Sequence, residues 1–410
     1  MRSDVDVAII GGGVFGASVA AHLAMLGCHN VLVLEAHEIG SQTSSQAAGL
    51  VPLLRSSGHL TEMARYSLRV FETFAHDIGA DIQFRQVGSL KLALTAERAA
   101  ELRVQVQTAM RLNVPMAFIS VRDARQRMPV LDLEGVQTVT YAPRDGYVGN
   151  PAAIASGYAA QASRMGVKVV TGTRVLQFAV VDGRIQGLET SQGYVSVKRV
   201  VLAAGAWTPA MAALTGVQVP TVPVLHQLQV TEPLPGIHPA QPVVRIPDCS
   251  AYIRPEGQGL IVGAFEAQPR SYAPGEITPA FRMSEVEPNW ESLRCCTETI
   301  APYLPLLEGA KILRTQQGLP TFTPDGGPLI GEVPGLAGLY VACGCCATGI
   351  SLSPAIGRIV AELVTEGGAF VETAPLSLTR FGATTPELTP LRQACEAVYA
   401  RYYALGEGKI

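Results

Sequence analysis

Apolar residues near the start of the chain follow a strand–turn–helix–strand pattern. Residues 5–10 (VDVAII) form an apolar run, three glycines follow, and an alanine-rich stretch extends to residue 25. A second apolar run, residues 31–34 (VLVL), ends at Glu35. Short apolar runs joined by a helical stretch predict a buried βαβ unit. The glycines and the strand-to-helix break argue against a membrane-spanning helix over the same residues.

Further along the chain the pattern changes between helical and strand periodicity several times. Helical stretches are predicted at residues 96–112 and 150–166, and a hairpin is predicted to turn at Asp182-Gly183. Alternation of apolar and polar residues around 222–234 and 259–266 predicts an antiparallel sheet with one face on a ligand. The amphipathic stretch 390–405 predicts a terminal helix that packs on the body or on another subunit.

Composition narrows the class of protein. The 410 residues are 48% hydrophobic and 16% charged, which predicts a large buried core and two domains rather than disorder. The net charge of −3 gives no reason to expect nucleic acid or an anionic membrane as a partner. With no export signal or transmembrane segment recognised, we expect a cytoplasmic protein, and peripheral membrane association stays open. The eight cysteines are expected to be reduced, and none has the spacing of a metal site.

The first turn carries a phosphate-binding pattern. Gly11, Gly13 and Gly16 form GxGxxG between the first strand and the first helix, and Glu35 ends the second strand. The glycines permit a tight turn, close approach of backbone to a pyrophosphate and helix–strand packing, and the acid reaches ribose hydroxyls. The unpaired N–H groups of the helix N-terminus favour the phosphates. The sequence therefore predicts a dinucleotide site.

Two further segments favour a flavin over a nicotinamide. Residues 38–54 (EIGSQTSSQAAGLVPLL) are rich in small and hydroxyl side chains, which a loop beside a bulky ring system requires. Residues 318–364 are predicted to form a strand, a glycine-rich turn and a helix that begins near Gly349. The N-terminus of that helix would favour negative charge on a reduced flavin.

These motifs, in this order, resemble the D-amino-acid oxidase superfamily, which includes glycine oxidase, sarcosine oxidase and dimethylglycine dehydrogenase. The resemblance rests on GGGVFG, SSQAAGL, VVLAAGAWTP (200–209), YIRPEGQGLIVGAFE (252–266) and the ending TPDGGPLIG…GLYVACG…TGISLSPAIG, and covers about residues 5–365. It implies FAD as the cofactor and oxidation of the C–N bond of an amino acid. It also implies an α/β fold, with a Rossmann-like FAD-binding domain and a second, α+β substrate domain built on an antiparallel sheet.

The resemblance further implies domain limits and cofactor contacts. The FAD-binding domain is expected at 1–85, 145–220 and 318–365, the substrate domain at 86–144 and 221–317, and a linker with a helix at 366–410. The residues implied to contact FAD are Gly11, Gly13, Val14, Phe15, Gly16, Glu35, Ala36, Thr43, Ser44, Ala48, Gly49, Leu50, Val175, Ala204, Gly205, Trp207, Cys345, Cys346, Ala347, Thr348, Gly349, Ile350 and Ser351.

Four residues are candidates for binding or orienting the substrate. Tyr252 and Arg254 lie two apart in a predicted strand and so share a face, where a phenol and a guanidinium suit a carboxylate. His226 lies on another predicted strand, with Gln227 and Gln229 on its opposite face. Arg55 follows the small-residue loop. Each also has a structural interpretation, as a solvated edge residue, a core histidine or a surface arginine.

The chain departs from its implied relatives at several positions. Pro320 replaces the carboxylate-binding arginine of glycine oxidases, and Ser351 replaces a substrate lysine of sarcosine oxidases, so the ligand is expected at Arg254 or Arg55. Ile261 replaces a lysine that activates oxygen, which puts rapid use of oxygen in doubt. Gln46 replaces the histidine that links flavin in dimethylglycine dehydrogenases, and no cysteine is near Gly318, so the FAD is expected to be non-covalent.

The sequence thus predicts an enzyme that oxidises the C–N bond of an N-substituted glycine or related secondary amino acid, of sarcosine, dimethylglycine or iminodiacetate type. Hydride would pass to flavin N5, and the imine would hydrolyse to an aldehyde or glyoxylate plus an amine. One alternative is a dehydrogenase of D-amino acids or hydroxyproline. Another is an FAD-binding electron-transfer subunit of a hetero-oligomeric complex, whose contact surface would be formed by the cluster Cys343, Cys345 and Cys346 and by the C-terminal helix. The acceptor, O2 or a quinone, and assembly into homo- or hetero-oligomers stay open.

Overall fold

A computed structural model describes residues 3–382 and 387–404 of the chain. Its helices are α1 (Val14–Met25), α2 (Gly58–Asp77), α3 (Ala96–Arg111), α4 (Val121–Arg127), α5 (Ala152–Arg164), α6 (Thr208–Ala213), α7 (Trp290–Ile300), α8 (Gly349–Glu366) and α9 (Leu388–Ala400). Its strands are β1 (Ser3–Ile10), β2 (Val31–Leu34), β3 (Leu50–Val51), β4 (Phe84–Arg85), β5 (Ser89–Ala93), β6 (Ala117–Ile119), β7 (Thr138–Ala142), β8 (Gly146–Val148), β9 (Lys168–Val170), β10 (Val175–Val181), β11 (Arg184–Thr190), β12 (Gly193–Leu202), β13 (Val222–Pro223), β14 (His226–Thr231), β15 (Val243–Ile246), β16 (Ala251–Glu256), β17 (Gly259–Ala264), β18 (Ile312–Gly318), β19 (Thr321–Phe322), β20 (Leu329–Glu332) and β21 (Leu339–Cys343).

The first sheet has a parallel centre. β1 lies between β2 and β12, β9 pairs with β2, and β21 pairs with β12, all in parallel. The antiparallel hairpin β10–β11 joins the first part of β12, and β20 joins β21. α1 packs against both α5 and α8, so these three helices cover one face of the sheet. The Rossmann-like α/β unit predicted from the sequence is confirmed.

Local signals in this unit were interpreted correctly. The hairpin turns at Asp182-Gly183, and both residues have positive φ, as a type I′ turn requires. Gly16 lies so close to the preceding turn that a Cβ atom would come within 1.9 Å of the Gly11 carbonyl oxygen. Only glycine therefore permits α1 to begin against β1.

The second sheet has the strand order β18-β14-β17-β16-β15-β5-β7-β6. Its pairs are antiparallel, as predicted, except that β15 runs parallel to β5. On β14, Gln227 and Gln229 bond to α7 and the residues before it, so His226 has the opposite face, as predicted. The face of the second sheet that carries His226 points towards the carboxyl edge of the first sheet.

The terminal helix α9 packs on the body of the same chain. It contacts β13 and β19, and the Cys395 thiol donates to the carbonyl of Phe322. Tyr399 is fully buried beneath the second sheet. Residues 383–386 and 405–410 of the predicted C-terminal segment lie outside the described residues. Among the described helices, none combines the length and apolar character needed to cross a bilayer.

Candidate active site

A long groove runs from the carboxyl edge of the first sheet to the inner face of the second. Its floor is the turn after β1 and the start of α1, one wall is the loop 36–55, and the far end lies under β14, β15 and β16. Residues 402–403, just beyond α9, close the far end. The groove therefore brings together residues that are up to about 390 positions apart in the sequence.

At the nucleotide end of the groove, Gly13 leaves space for a ligand beside the backbone. A Cβ atom on Gly13 would meet only the Ser44 hydroxyl, at 3.4 Å, so the space above this residue belongs to the groove. The Val14 amide is held by the Ser44 hydroxyl at 3.1 Å. This cradle and the N-terminus of α1 fit a pyrophosphate.

Glu35 lies at the end of β2, where a ribose is expected. Its carboxylate accepts the Gly12 amide at 2.6 Å and the His37 amide at 2.7 Å. Burial raises the pKa of Glu35, and these amides act against that rise. The carboxylate is thereby fixed in orientation beside the groove.

Most residues predicted to contact FAD line this groove. They are Gly11, Gly13, Val14, Phe15, Glu35, Ala36, Thr43, Ser44, Ala48, Gly49, Leu50, Val175, Ala204, Gly205, Trp207, Cys345, Ala347, Gly349, Ile350 and Ser351. The start of α8 supplies a second helix N-terminus at the end of the groove opposite Glu35. Two helix N-termini, a glycine cradle and a small-residue wall fit a dinucleotide with an electron-rich ring.

Three of the residues predicted to contact FAD do not line the groove. Gly16 packs on the Gly11 carbonyl and so shapes the turn. The Thr348 hydroxyl donates to the carbonyl of Cys345. Cys346 turns away, because its φ is +44°, and its thiol lies 3.5 Å from the Thr323 amide. These three residues support the turns that carry the lining residues and do not themselves line the groove.

His226 and Tyr252 form a hydrogen-bonded pair at the far end. Nε2 of His226 lies 2.8 Å from the Tyr252 hydroxyl, and Nδ1 lies 2.9 Å from the hydroxyl of Tyr399 on α9. Burial lowers the pKa of His226 to about 4 and raises the pKa of Tyr252 well above its usual value. The pair is therefore uncharged at neutral pH. It accepts or donates hydrogen bonds without adding charge to the site.

The neighbours of this pair fix its position. Gly263, opposite Tyr252 on β17, leaves the space that the tyrosine ring occupies, since a Cβ there would lie 2.4 Å from the ring. Phe265 packs on His226 with ring centroids 4.7 Å apart. Tyr402 stacks on Phe265 at 3.9 Å and an angle of 5°. An aromatic wall thus holds the pair against the groove.

Arg55 brings a positive charge to the same end. Its Nη2 donates to the Ser351 hydroxyl at 2.6 Å, and its Nε is buried without a hydrogen-bond partner among the described residues. Burial lowers the pKa of Arg55 to about 10, so it stays charged at neutral pH. A buried cation with an unused donor is suited to an anionic ligand.

Arg254 is placed elsewhere, and the sequence-based expectation that it faces the substrate is corrected. It is buried behind the small-residue loop, where Nε donates to the Ala48 carbonyl at 2.5 Å. Its Nη1 donates to the Pro255 carbonyl and forms an ion pair with Glu256 at 2.7 Å. Its guanidinium also lies over the Tyr147 ring. Arg254 therefore holds the loop, and alternation along β16 does not bring it to the groove.

Several groove residues were missed by sequence reasoning. At the nucleotide end these include His37, whose Nδ1 is buried without a hydrogen-bond partner among the described residues. At the far end they are Arg245, Phe265, Tyr402 and Tyr403. Arg245 carried a signal, because it is the one charged residue in the otherwise apolar run VVRI. The tyrosines carried none, since nothing local indicates where a terminal helix ends.

The cysteine cluster divides between groove and core. Cys343 and Cys345 line the groove, and Cys346 is buried behind it. All eight cysteines are free thiols. Burial raises the pKa of Cys345, and raises that of Cys346 to about 12, which keeps both as unreactive thiols. Their position favours the interpretation as small fillers of a tight turn.

Known proteins share this architecture. The family described as FAD dependent oxidoreductase matches residues 6–363. The chain is 32% identical to 4-methylaminobutanoate oxidase (formaldehyde-forming) of Paenarthrobacter nicotinovorans, over 99% of this chain and 49% of that protein. It is 30% identical to human mitochondrial sarcosine dehydrogenase, over 99% of this chain and 44% of that protein. The chain thus spans about half the length of these curated relatives.

Among solved structures, L-proline dehydrogenase from P. horikoshii superposes with a TM-score of 0.84 and 26% identity, over 93% of this chain and 98% of that one. These matches extend over both large sheets and the groove between them. The chain belongs to the FAD-dependent oxidoreductase family typified by D-amino-acid oxidase, and FAD is its cofactor.

Proposed function

We propose that the protein oxidises the C–N bond of an N-substituted glycine or a related secondary amino acid, of sarcosine, dimethylglycine or iminodiacetate type. The observation that carries the proposal is the far end of the groove. There the buried Arg55 has an unused donor, and the uncharged His226–Tyr252 pair lies on the facing sheet. A cation for the carboxylate and a neutral surface for the amine are what such a substrate requires.

In this proposal, side chains of the groove bind the substrate and orient it. Arg55 holds the substrate carboxylate, and its bond to Ser351 fixes the guanidinium beside the start of α8. Tyr252 offers its hydroxyl to the substrate, oriented by His226. Because both stay neutral at neutral pH, they favour the deprotonated amine, from which C–N oxidation proceeds.

The cofactor has a defined place in this proposal. Bound FAD supplies a two-electron acceptor for the C–N bond, and the resulting imine takes up water to give a carbonyl compound and an amine. The groove residues from Gly11 to Leu50 and from Cys345 to Ser351 would hold it. We propose that it is held non-covalently, since Gln46 and Gly318 stand where a linking side chain would be. Acid precipitation should then release all the flavin into the supernatant.

Relatives support the choice of substrate. The two curated relatives described above are named for the oxidation of N-methylated amino acids. A second candidate is a cyclic imino acid, which is also a secondary amine. It is favoured by the likeness to L-proline dehydrogenase. With either candidate, the substrate carboxylate binds Arg55.

The test is product analysis with a panel of amines. Purified protein is incubated with sarcosine, dimethylglycine, iminodiacetate, proline and a set of D-amino acids, with a dye as acceptor and then with oxygen alone. We expect formaldehyde or glyoxylate from the N-substituted glycines, and a slower reaction with oxygen than with dye. Turnover of D-amino acids alone would contradict the proposal. Arg55→Met should abolish turnover of every carboxylate-bearing amine that the protein accepts.

A further inference from the structure

A second arginine lines the groove, on a different element from Arg55. Arg245 lies on β15, directly opposite Tyr252 on β16 and Lys91 on β5. Residues opposite each other in a sheet share a face, so Arg245 and Tyr252 look into the same space. Both line the groove.

Among the described residues, the guanidinium of Arg245 has no hydrogen-bond or ion-pair partner. Its Nε is buried with no hydrogen-bond partner, and no acidic side chain within the described ranges lies in ion-pair distance of it. Arg55 shares both properties. Arg55 is buried and Arg245 is half-buried, and a guanidinium withdrawn from water is normally paired, because an unpaired buried charge is costly. Two unpaired guanidiniums on one groove indicate two places for an anion.

The charged groups around Arg55 and Arg245 leave an excess of positive charge at this end of the groove. Lys91 is buried beside Arg245, and its ammonium donates to the Gln105 side chain at 2.6 Å. Asp145 faces this group, and its oxygens already accept the Leu53 amide at 2.8 Å and the Ser89 hydroxyl at 2.5 Å. Glu101 also acts on Lys91 but is paired with Arg98, and burial lowers the pKa of Lys91 to about 7. Asp145 therefore stands against two arginines and a partly charged lysine. A ligand with a single carboxylate would leave part of this charge uncompensated.

We propose that Arg245 is a specificity-determining residue that binds a second carboxylate, so that the preferred substrate is a secondary amine carrying two carboxylates. This inference rests on the proposed function and narrows its substrate class. Arg55 holds the carboxylate next to the oxidised carbon, and Arg245 holds the carboxylate on the other N-substituent. Arg55 is tethered to α8 and Arg245 is carried by β15, so the two anions are bound by side chains from different elements.

The test compares two unreactive analogues that differ by one carboxylate. Thiodiacetate and (methylthio)acetate, which carry sulfur in place of the amine nitrogen, are titrated into the FAD-loaded protein by calorimetry. We expect the wild type to bind thiodiacetate at least 10-fold more tightly. In Arg245→Met this preference should fall to less than about 3-fold, through weaker binding of thiodiacetate alone. Arg245→Lys should keep part of the preference.

Arg103→Gln, which removes an exposed cation on α3, is the matched control and should leave both affinities unchanged. Equal binding of the two analogues by the wild type would overturn the inference. So would an Arg245→Met variant that weakens both equally or neither. The proposed function is tested separately, because anaerobic flavin reduction by sarcosine does not need a second carboxylate. Flavin reduction by sarcosine with no preference for thiodiacetate would refute only the role of Arg245.

Discussion

At the residue scale, two glycines of one motif have different physical roles. Gly13 borders open groove and Gly16 borders backbone, although the sequence pattern treats them alike. The pattern correctly predicts the strand–turn–helix geometry at both glycines, because the turn after β1 is determined locally. What each glycine faces depends on the loop 36–55, which the pattern does not include.

Gly13→Val tests the pyrophosphate site. The added side chain enters the groove rather than the core, since only the Ser44 hydroxyl lies within 4 Å of the new Cβ. We expect loss of bound flavin with an unchanged melting temperature and far-UV circular dichroism. Gly16→Ala, whose Cβ would collide with the Gly11 carbonyl, should instead prevent folding. Retention of yellow colour by Gly13→Val would contradict the assignment of this end of the groove.

Arg254→Met separates support of the loop from substrate binding. Arg254 is a buried cation with three oxygen partners, and its loss should lower the free energy of unfolding by about 3 kcal/mol. The substrate Michaelis constant should change little in protein that retains FAD. Arg314→Met removes the exposed partner of Glu256 and should cost under about 1 kcal/mol. A large rise in the Michaelis constant with no loss of stability would return Arg254 to the substrate site.

Residues at the far end show the limit of sequence reasoning at this scale. Alternation along a strand correctly placed His226 opposite Gln227, because the period of two is a property of the backbone. It failed to place Arg254, because a long side chain turns to whichever acceptors the neighbouring loop provides. Arg245 was missed because its importance comes from a missing counter-ion, which is a three-dimensional property.

At the scale of elements, local signals were sufficient for helices and hairpins but not for pairings between distant segments. The helix at 96–112 and the hairpin at 182–183 were predicted from periodicity and turn residues and are confirmed. The parallel pairing of β5 with β15 joins residues about 150 positions apart. No local pattern specifies such a pairing, since it depends on which chain segments meet when the two large units fold.

The terminal helix α9 is an element with an expected effect on catalysis. The Tyr399 hydroxyl is 2.9 Å from His226 Nδ1, so Tyr399→Phe leaves that nitrogen without its partner. We expect the free energy of unfolding to fall by about 1–2 kcal/mol. The rate of flavin reduction should fall several-fold at an unchanged Michaelis constant, because His226 orients Tyr252. Tyr194→Phe, which alters an exposed hydroxyl on β12, is the control and should change neither quantity.

If Tyr399→Phe lowers stability but leaves the rate and its pH profile unchanged, α9 is merely structural. The conservative comparison is Tyr252→Phe, which should reduce the rate more, because it removes the hydroxyl that faces the groove.

At the scale of the whole molecule, buried neutral histidines link folding to pH. Burial lowers the pKa of His22 to about 4 from its ordinary 6.5, and Nδ1 of His22 lies 2.8 Å from the Ser18 carbonyl. The unfolded chain therefore binds more protons than the folded one between these values. The free energy of unfolding should fall as pH drops through this window.

His22→Asn removes this titration and keeps a donor for Ser18. Between roughly pH 7 and pH 5 the wild type should lose about 2 kcal/mol more than the variant, measured by urea unfolding at both pH values. The comparison uses the difference between pH values, since the smaller side chain also weakens packing at every pH. An identical pH dependence in the two proteins would show that His22 has the same pKa in the folded and unfolded states, which would contradict the prediction.

For the molecule as a whole, we propose that the groove between the two large sheets holds FAD at one end and an amino acid with a secondary or tertiary amine at the other. The most direct test of this proposal is the absorbance spectrum of the purified protein during anaerobic titration with N-substituted glycines. We predict flavin bands that bleach on addition of substrate in the wild type, persist unbleached in Arg55→Met and are missing in Gly13→Val. A colourless protein that gains no flavin bands on incubation with FAD, or flavin bands that no amino acid bleaches, would contradict the account.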